Sequence, residues 1–186
     1  MAAYLFLVFA LLTRLLPHPG WMNFTAVGAM LIYFGARRSW REIFVPLTLL
    51  IAADYCLTVL VYDYAFHPQA YLLTWAWYAM AFALGRILLH SRTTFVRVAA
   101  SALLGPTSFF VLSNFAVWVG SAMYTHTLDG LVTCYVAALP FYRNDLAATS
   151  VFLGIAFGVP ALVRRSLDSR TPAPLPIPIS SRAPRA

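Results

Sequence analysis

The polar residues of this chain are spaced so that long apolar runs alternate with short charged or turn-forming stretches. A hydrocarbon core of about 30 Å takes roughly 20 helical residues to cross. That length predicts six segments: Ala2–Leu16, Phe24–Ala36, Ile43–Tyr62, Ala70–Leu89, Phe95–Val119 and Leu146–Val163. The first two are short and are parted by Pro17-His18-Pro19-Gly20, which removes backbone donors and forces a turn. Leu128–Leu139 is apolar enough to be weighed as a seventh span. Its stripe of Leu128, Leu131, Val132, Tyr135 and Leu139 is opposed by Asp129 and Thr133, the period of a helix lying on a membrane surface. The expected fold is therefore an all-α integral membrane protein with six transmembrane helices and a short amphipathic outer helix.

Composition leads to the same class. With 61% hydrophobic and 10% charged residues, the chain has more apolar surface than a soluble domain of this size hides, so lipid must cover the remainder. All thirteen basic residues are arginine. They are divided among loops and a tail instead of being gathered on one face, which points to anionic membrane lipid and away from nucleic acid. Arg37, Arg38 and Arg41 occupy the second loop, Arg92 the fourth with Arg86 and Arg97 beside it, and Arg164 and Arg165 open the tail. The first and third loops hold none, and the fifth holds Arg143. The positive-inside rule then places both termini in the cytoplasm, and a seventh span would export Arg164, Arg165 and Arg170. Residues 1–165 read as one transmembrane domain. Residues 166–186, rich in proline, read as a disordered cytoplasmic tail.

Polar residues inside the apolar runs carry the functional signal. Asp54 lies past the middle of the third segment, where a lone carboxylate costs a few kcal/mol unless it is paired or faces water. Arg14 comes at a similar depth, so Asp54 is either half of a structural ion pair or part of a binding or ion-coupling site. Once the topology is drawn, Asn23 and Thr25, Asn114, and Asn144 with Asp145 gather on the same side of the bilayer as Asp54. The predicted outer cavity is built from Asn23, Asp54, Asn114 and Asn144, with Trp118, Tyr135 and Arg143 as further substrate-binding candidates and Leu128–Leu139 as a lid hinged at Gly120 and Gly130. Taken singly, Asn144 and Asp145 read as helix N-caps. Trp21, Trp75, Trp77, Tyr78, Tyr124, Phe141 and Tyr142 form an interfacial belt, a minority of which can stack on a flat ligand. Cys56 and Cys134 read first as buried free thiols, with a disulfide and a soft-metal thiolate as alternatives. The histidines show no ligand spacing, so no metal or cofactor is expected. Without a phosphate loop, nucleophile elbow or paired-carboxylate motif, the chain is not expected to be an enzyme.

Three strings, Pro19-Gly20-Trp21-Met22-Asn23-Phe24-Thr25-Ala26-Val27-Gly28-Ala29-Met30, Ser113-Asn114-Phe115-Ala116-Val117-Trp118 and Cys134-Tyr135-Val136-Ala137-Ala138-Leu139-Pro140-Phe141-Tyr142-Arg143-Asn144, resemble an uncharacterised family of small bacterial polytopic inner-membrane proteins. That family in turn resembles the substrate-binding S components of energy-coupling-factor transporters. The resemblance implies six helices, an outward-facing vitamin site at the outer loops and helix ends, a small-molecule substrate and a transporter coupling subunit as partner. S components usually carry small residues four apart on their first helix for docking that subunit, and Ala2–Leu16 has no such pair. The expected function is small-molecule binding and uptake; the alternative is a non-transporting scaffold that holds lipid or a partner.

Overall fold

The computed structural model describes residues 1–16 and 22–169. The Pro17–Gly20 break, Trp21 and the proline-rich stretch from Thr171 lie outside the described residues. Those described form helices and no strand. α1 is Ala2–Leu15 and α2 is Val27–Arg37. α3, Phe44–Cys56, follows a 3₁₀ turn at Trp40–Ile43 and runs on through a π turn at Leu57–Val61. α4 is Pro68–Leu89, α5 is Phe95–Gly120 and α6 is Leu128–Leu153; a second π turn, Gly154–Gly158, joins α6 to α7, Val159–Asp168. Among the described residues, four continuous helical stretches are long and apolar enough to cross a membrane: Trp40–Val61, Pro68–Leu89, Phe95–Gly120 and Leu128–Leu167.

α1 and α2 are too short for that. Fourteen and eleven residues make helices of about 21 and 17 Å. α2 nevertheless sits at the centre, with every residue from Val27 to Ala36 buried, packed among α1, α4, α5 and α6. An all-round apolar helix is what such a position requires. Its closest neighbour is α4. A Cβ on Gly35 would stand 2.0 Å from the Phe82 carbonyl oxygen, and one on Gly85 would stand 1.9 Å from that of Ile32. The two backbones therefore touch, and only glycine fits at either point.

The level of each helix follows from its contacts. Tyr4 donates to Glu42, and Arg38 bonds Glu42, so the start of α1 meets the α2–α3 connection. Arg86 donates to the Arg38 carbonyl at that same end. Arginines 37, 38, 41, 86, 92 and 97 thus define one arginine-rich end of the bundle. Gly28, at the start of α2, is level with Trp77 of α4. From Trp77 to Pro68 α4 climbs nine more residues, about 14 Å. The α1–α2 hairpin therefore stops well short of the end reached by the four long helices, and the space above it is open.

One predicted element is absent as drawn. Leu128–Leu139 is not a separate surface helix, because α6 runs unbroken through Pro140 and Arg143-Asn144-Asp145. Asn144 and Asp145 consequently sit in mid-helix and cap nothing; the N-cap is Thr127, whose hydroxyl accepts from the Gly130 N–H at 3.2 Å. The first half of α6 packs against α5 as a wall. Gly130 is not a hinge either. Its missing Cβ would lie 2.0 Å from the Thr125 carbonyl oxygen, an oxygen that also accepts from the Trp118 indole at 2.9 Å, so this glycine tightens the α5–α6 turn.

Candidate functional site

A cavity of about 780 Å³ fills the space above the α1–α2 hairpin. Thr25, Val27 and Gly28 at the start of α2 form its floor, and α1, α3, α4, α5 and α6 each contribute to its walls. Its origin is local. The short α1 and α2 leave the upper halves of the long helices without a central partner, so their polar side chains turn into shared space instead of hydrocarbon.

Asp54 is held at the edge of this cavity and is 1% exposed. Arg14 donates through Nε at 3.1 Å, and through its terminal nitrogen, to Oδ1. The Trp75 indole donates to Oδ2 at 3.0 Å, and the Tyr78 hydroxyl lies 3.4 Å from the same oxygen. The Arg14 side chain keeps 26% of its exposure and faces the cavity. One turn later α3 widens into its π turn, a local insertion that recurs at functional sites. There Thr58 donates to the Asp54 carbonyl at 2.7 Å, and its hydroxyl lies 2.5 Å from that of Tyr71. The turn thereby presents Leu57, Thr58 and Tyr62 to the cavity.

Asp145 enters from α6. Its Oδ1 accepts from the Thr149 hydroxyl at 3.4 Å and would be 3.9 Å from a Cβ on Gly28. A smaller cavity of about 130 Å³ adjoins the first and shares Asn23, Phe109, Phe141 and Asp145 with it.

The seven residues singled out from the sequence do not gather in one place. Asn23 and Asp54 line the large cavity, and Asn114 lines the small one. Asn23 has a positive φ of 65°, a conformation that asparagine tolerates better than most residues, so the turn into α2 also accounts for it. Asn114 donates to the Phe110 carbonyl of its own helix at 2.8 Å. Asn144 donates to the Met22 carbonyl at 3.0 Å and ties α6 to the strand of chain entering α2. Trp118 and Tyr135 brace the α5–α6 hairpin; the Tyr135 hydroxyl donates to the Val111 carbonyl at 2.7 Å. Arg143 is exposed. The cavity also gathers Arg14, Thr58, Tyr71, Trp77 and Asp145. A signal for Tyr71 and Tyr78 was present: a spacing of seven puts them on one face of α4, whereas Trp77, one residue from Tyr78, turns its indole to the Gly105 carbonyl of α5. Cys56 and Cys134 are both free thiols, and the Cys134 thiol donates to the Asn114 carbonyl at 3.4 Å.

Helices of membrane-crossing length and composition, packed around a short central helix and opening on a polar, aromatic-walled cavity, make this a helical membrane protein with an internal cavity. The chain belongs to DUF6580, a family of unknown function whose pattern it matches over residues 1–173. Neither a curated protein nor a solved structure matches it.

Proposed function

We propose that this protein binds a small molecule in the cavity above the α1–α2 hairpin and takes part in its uptake. The observation that carries the reading is the cavity itself. Its 780 Å³ is the size of a small-ligand site, and charged, amide and hydroxyl side chains converge there on aromatic and apolar wall residues. In this reading the arginine-rich end faces the cytoplasm, by the positive-inside rule. Both termini then lie inside a bacterial inner membrane, in six spans of which α1 and α2 are shortened, and the cavity opens outward. That arrangement is the one expected from a resemblance to the S components of energy-coupling-factor transporters, and it is fold-level analogy. A coupling subunit is not included, because α1 exposes Leu5, Val8, Phe9 and Leu12 where S components offer small residues.

The scaffold alternative draws on one feature. The Arg14–Asp54 pair is so completely bonded within the protein that it needs no ligand to satisfy it. A thermal-shift screen of water-soluble vitamins and related cyclic compounds against the purified full-length protein separates the two readings. At least one compound is expected to raise Tm. Thr74→Trp, which places a ring inside the cavity, is expected to abolish that shift while leaving the ligand-free protein monodisperse. No stabilising compound, or equal stabilisation of the Thr74→Trp variant, favours the scaffold.

A further inference from the structure

Among the described residues, the charges lining the cavity do not balance. Arg14 and Asp54 neutralise each other in a closed ion pair. That leaves Asp145, half-buried on α6, whose one hydrogen-bond partner among the described residues is the Thr149 hydroxyl at a stretched 3.4 Å. Neither ion pair among the described residues includes it. The positive end of the α2 dipole lies beside it, since its Oδ1 would be 3.9 Å from a Cβ on Gly28. That end is equivalent to only about half a unit charge, so a full carboxylate there remains undercompensated. A half-buried carboxylate in this state favours any cation able to reach it. The surrounding wall suits an organic cation better than a metal ion. Trp77, Phe109 and Phe141 line the cavity with Asp145, and aromatic faces attract cations through the ring quadrupole. Metal binding needs several hard or ionised ligands, and among the described residues no cluster of three His, Cys, Asp or Glu side chains is found.

We infer that Asp145 is the charge-selecting residue of the cavity and that the ligand class is an organic cation with a flat, apolar body. The inference rests on the binding reading given above and adds the sign of the ligand's charge. Asp145 acts as the counter-ion, the aromatic wall supplies stacking and cation–π contact, and the Arg14–Asp54 pair stays closed as a neutral part of the wall.

The sign can be read without knowing the ligand. Thr74, a cavity residue, is replaced by cysteine in a Cys56→Ala/Cys134→Ala background. The purified full-length protein in detergent is then treated with trimethylammonium-ethyl or sulfonatoethyl methanethiosulfonate, each rate being normalised to that of free cysteine. The cationic reagent is expected to be favoured by about tenfold or more, the size of effect one nearby carboxylate has where the effective dielectric is low. Asp145→Asn should bring the ratio close to one, and Asp145→Glu should preserve the preference. If the asparagine variant is not monodisperse, Asp145→Ser serves in its place. Equal rates in the parent protein, preference for the anion, or a ratio unchanged by Asp145→Asn overturns the inference. Reaction with both reagents and no preference leaves the binding cavity standing and removes only the charge assignment. Failure of both reagents to reach the thiol removes the cavity reading as well.

Discussion

Asp54 shows how a carboxylate survives deep in an apolar segment. Its two oxygens are shared among Arg14, Trp75 and Tyr78, so neither lone-pair set is left unmet. The partners are not equivalent on removal. Arg14→Leu leaves a fully buried anion with only neutral donors and is expected to cost about 3 kcal/mol or more. Asp54→Asn keeps an acceptor for Trp75 and Tyr78, and the stranded guanidinium, already 26% exposed, can turn toward cavity water. Its cost is expected to be clearly smaller, about 1–2 kcal/mol. The double variant Arg14→Leu/Asp54→Asn should regain most of the Tm lost in Arg14→Leu alone. Thermal unfolding of the three purified variants checks the order, and an Asp54→Asn loss as large as that of Arg14→Leu would refute it. Simple exchange of the two charges is not expected to rescue folding, because an arginine at position 54 would face the Trp75 and Tyr78 donors. Depth along the sequence was enough to pair Arg14 with Asp54. The second and third partners were not legible, since they depend on the rotation of α4 about its axis.

Among the elements, the α2–α4 contact is the tightest point in the bundle. Gly35 and Gly85 place each backbone against the other's carbonyl, with no room for a methyl group. Gly35→Ala or Gly85→Ala must therefore push the helices apart, at an expected 1–3 kcal/mol or more, roughly the scale of overpacking in a close-packed interior. Gly154→Ala, where a Cβ meets nothing within 4 Å, is expected to be neutral or mildly stabilising. Tm differences among the three variants test this directly, and an Ala at Gly85 as benign as one at Gly154 would mean the contact is loose. Apolar runs and their arginine punctuation made α3, α4 and α5 legible to within a few residues. α6 was misjudged because Pro140 and the polar run Arg143-Asn144-Asp145 imitate a helix boundary. In the fold the lost proline donor is tolerated, and Asn144 and Asp145 instead reach the Met22 carbonyl and the cavity. Asp145 was overlooked by the same error, since a residue taken for a cap is not looked for in a site. The central placing of α2 was equally hidden, because an apolar run does not disclose whether lipid or protein surrounds it.

For the whole molecule, the alternation of helices ties function to orientation. α1 and α3 run in one direction, as the pairing of Tyr4 with Glu42 and of Arg14 with Asp54 shows. α2 runs alongside α4 and α6 in the other, with Gly28 beside Trp77 and Thr149, and Tyr33 beside Phe157. Such an alternation puts the α2–α3 and α4–α5 connections at the arginine-rich end and the α3–α4 connection at the cavity end. In the proposed orientation the arginine-rich end stays in the cytoplasm, because moving clustered arginines across the bilayer during insertion is strongly disfavoured. Single cysteines placed at Ser39, Ser91 and Gln69 in a Cys56→Ala/Cys134→Ala background test this in intact cells. Ser39 and Gln69 are exposed in the fold, as is Ser91, so burial within the protein does not shield any of them. A membrane-impermeant maleimide is expected to label the thiol at Gln69 and to spare those at Ser39 and Ser91 until the cells are permeabilised. Labelling at Ser39 from outside would turn the bundle over and aim the cavity at the cytoplasm, and with it uptake through an outward-facing site would fall.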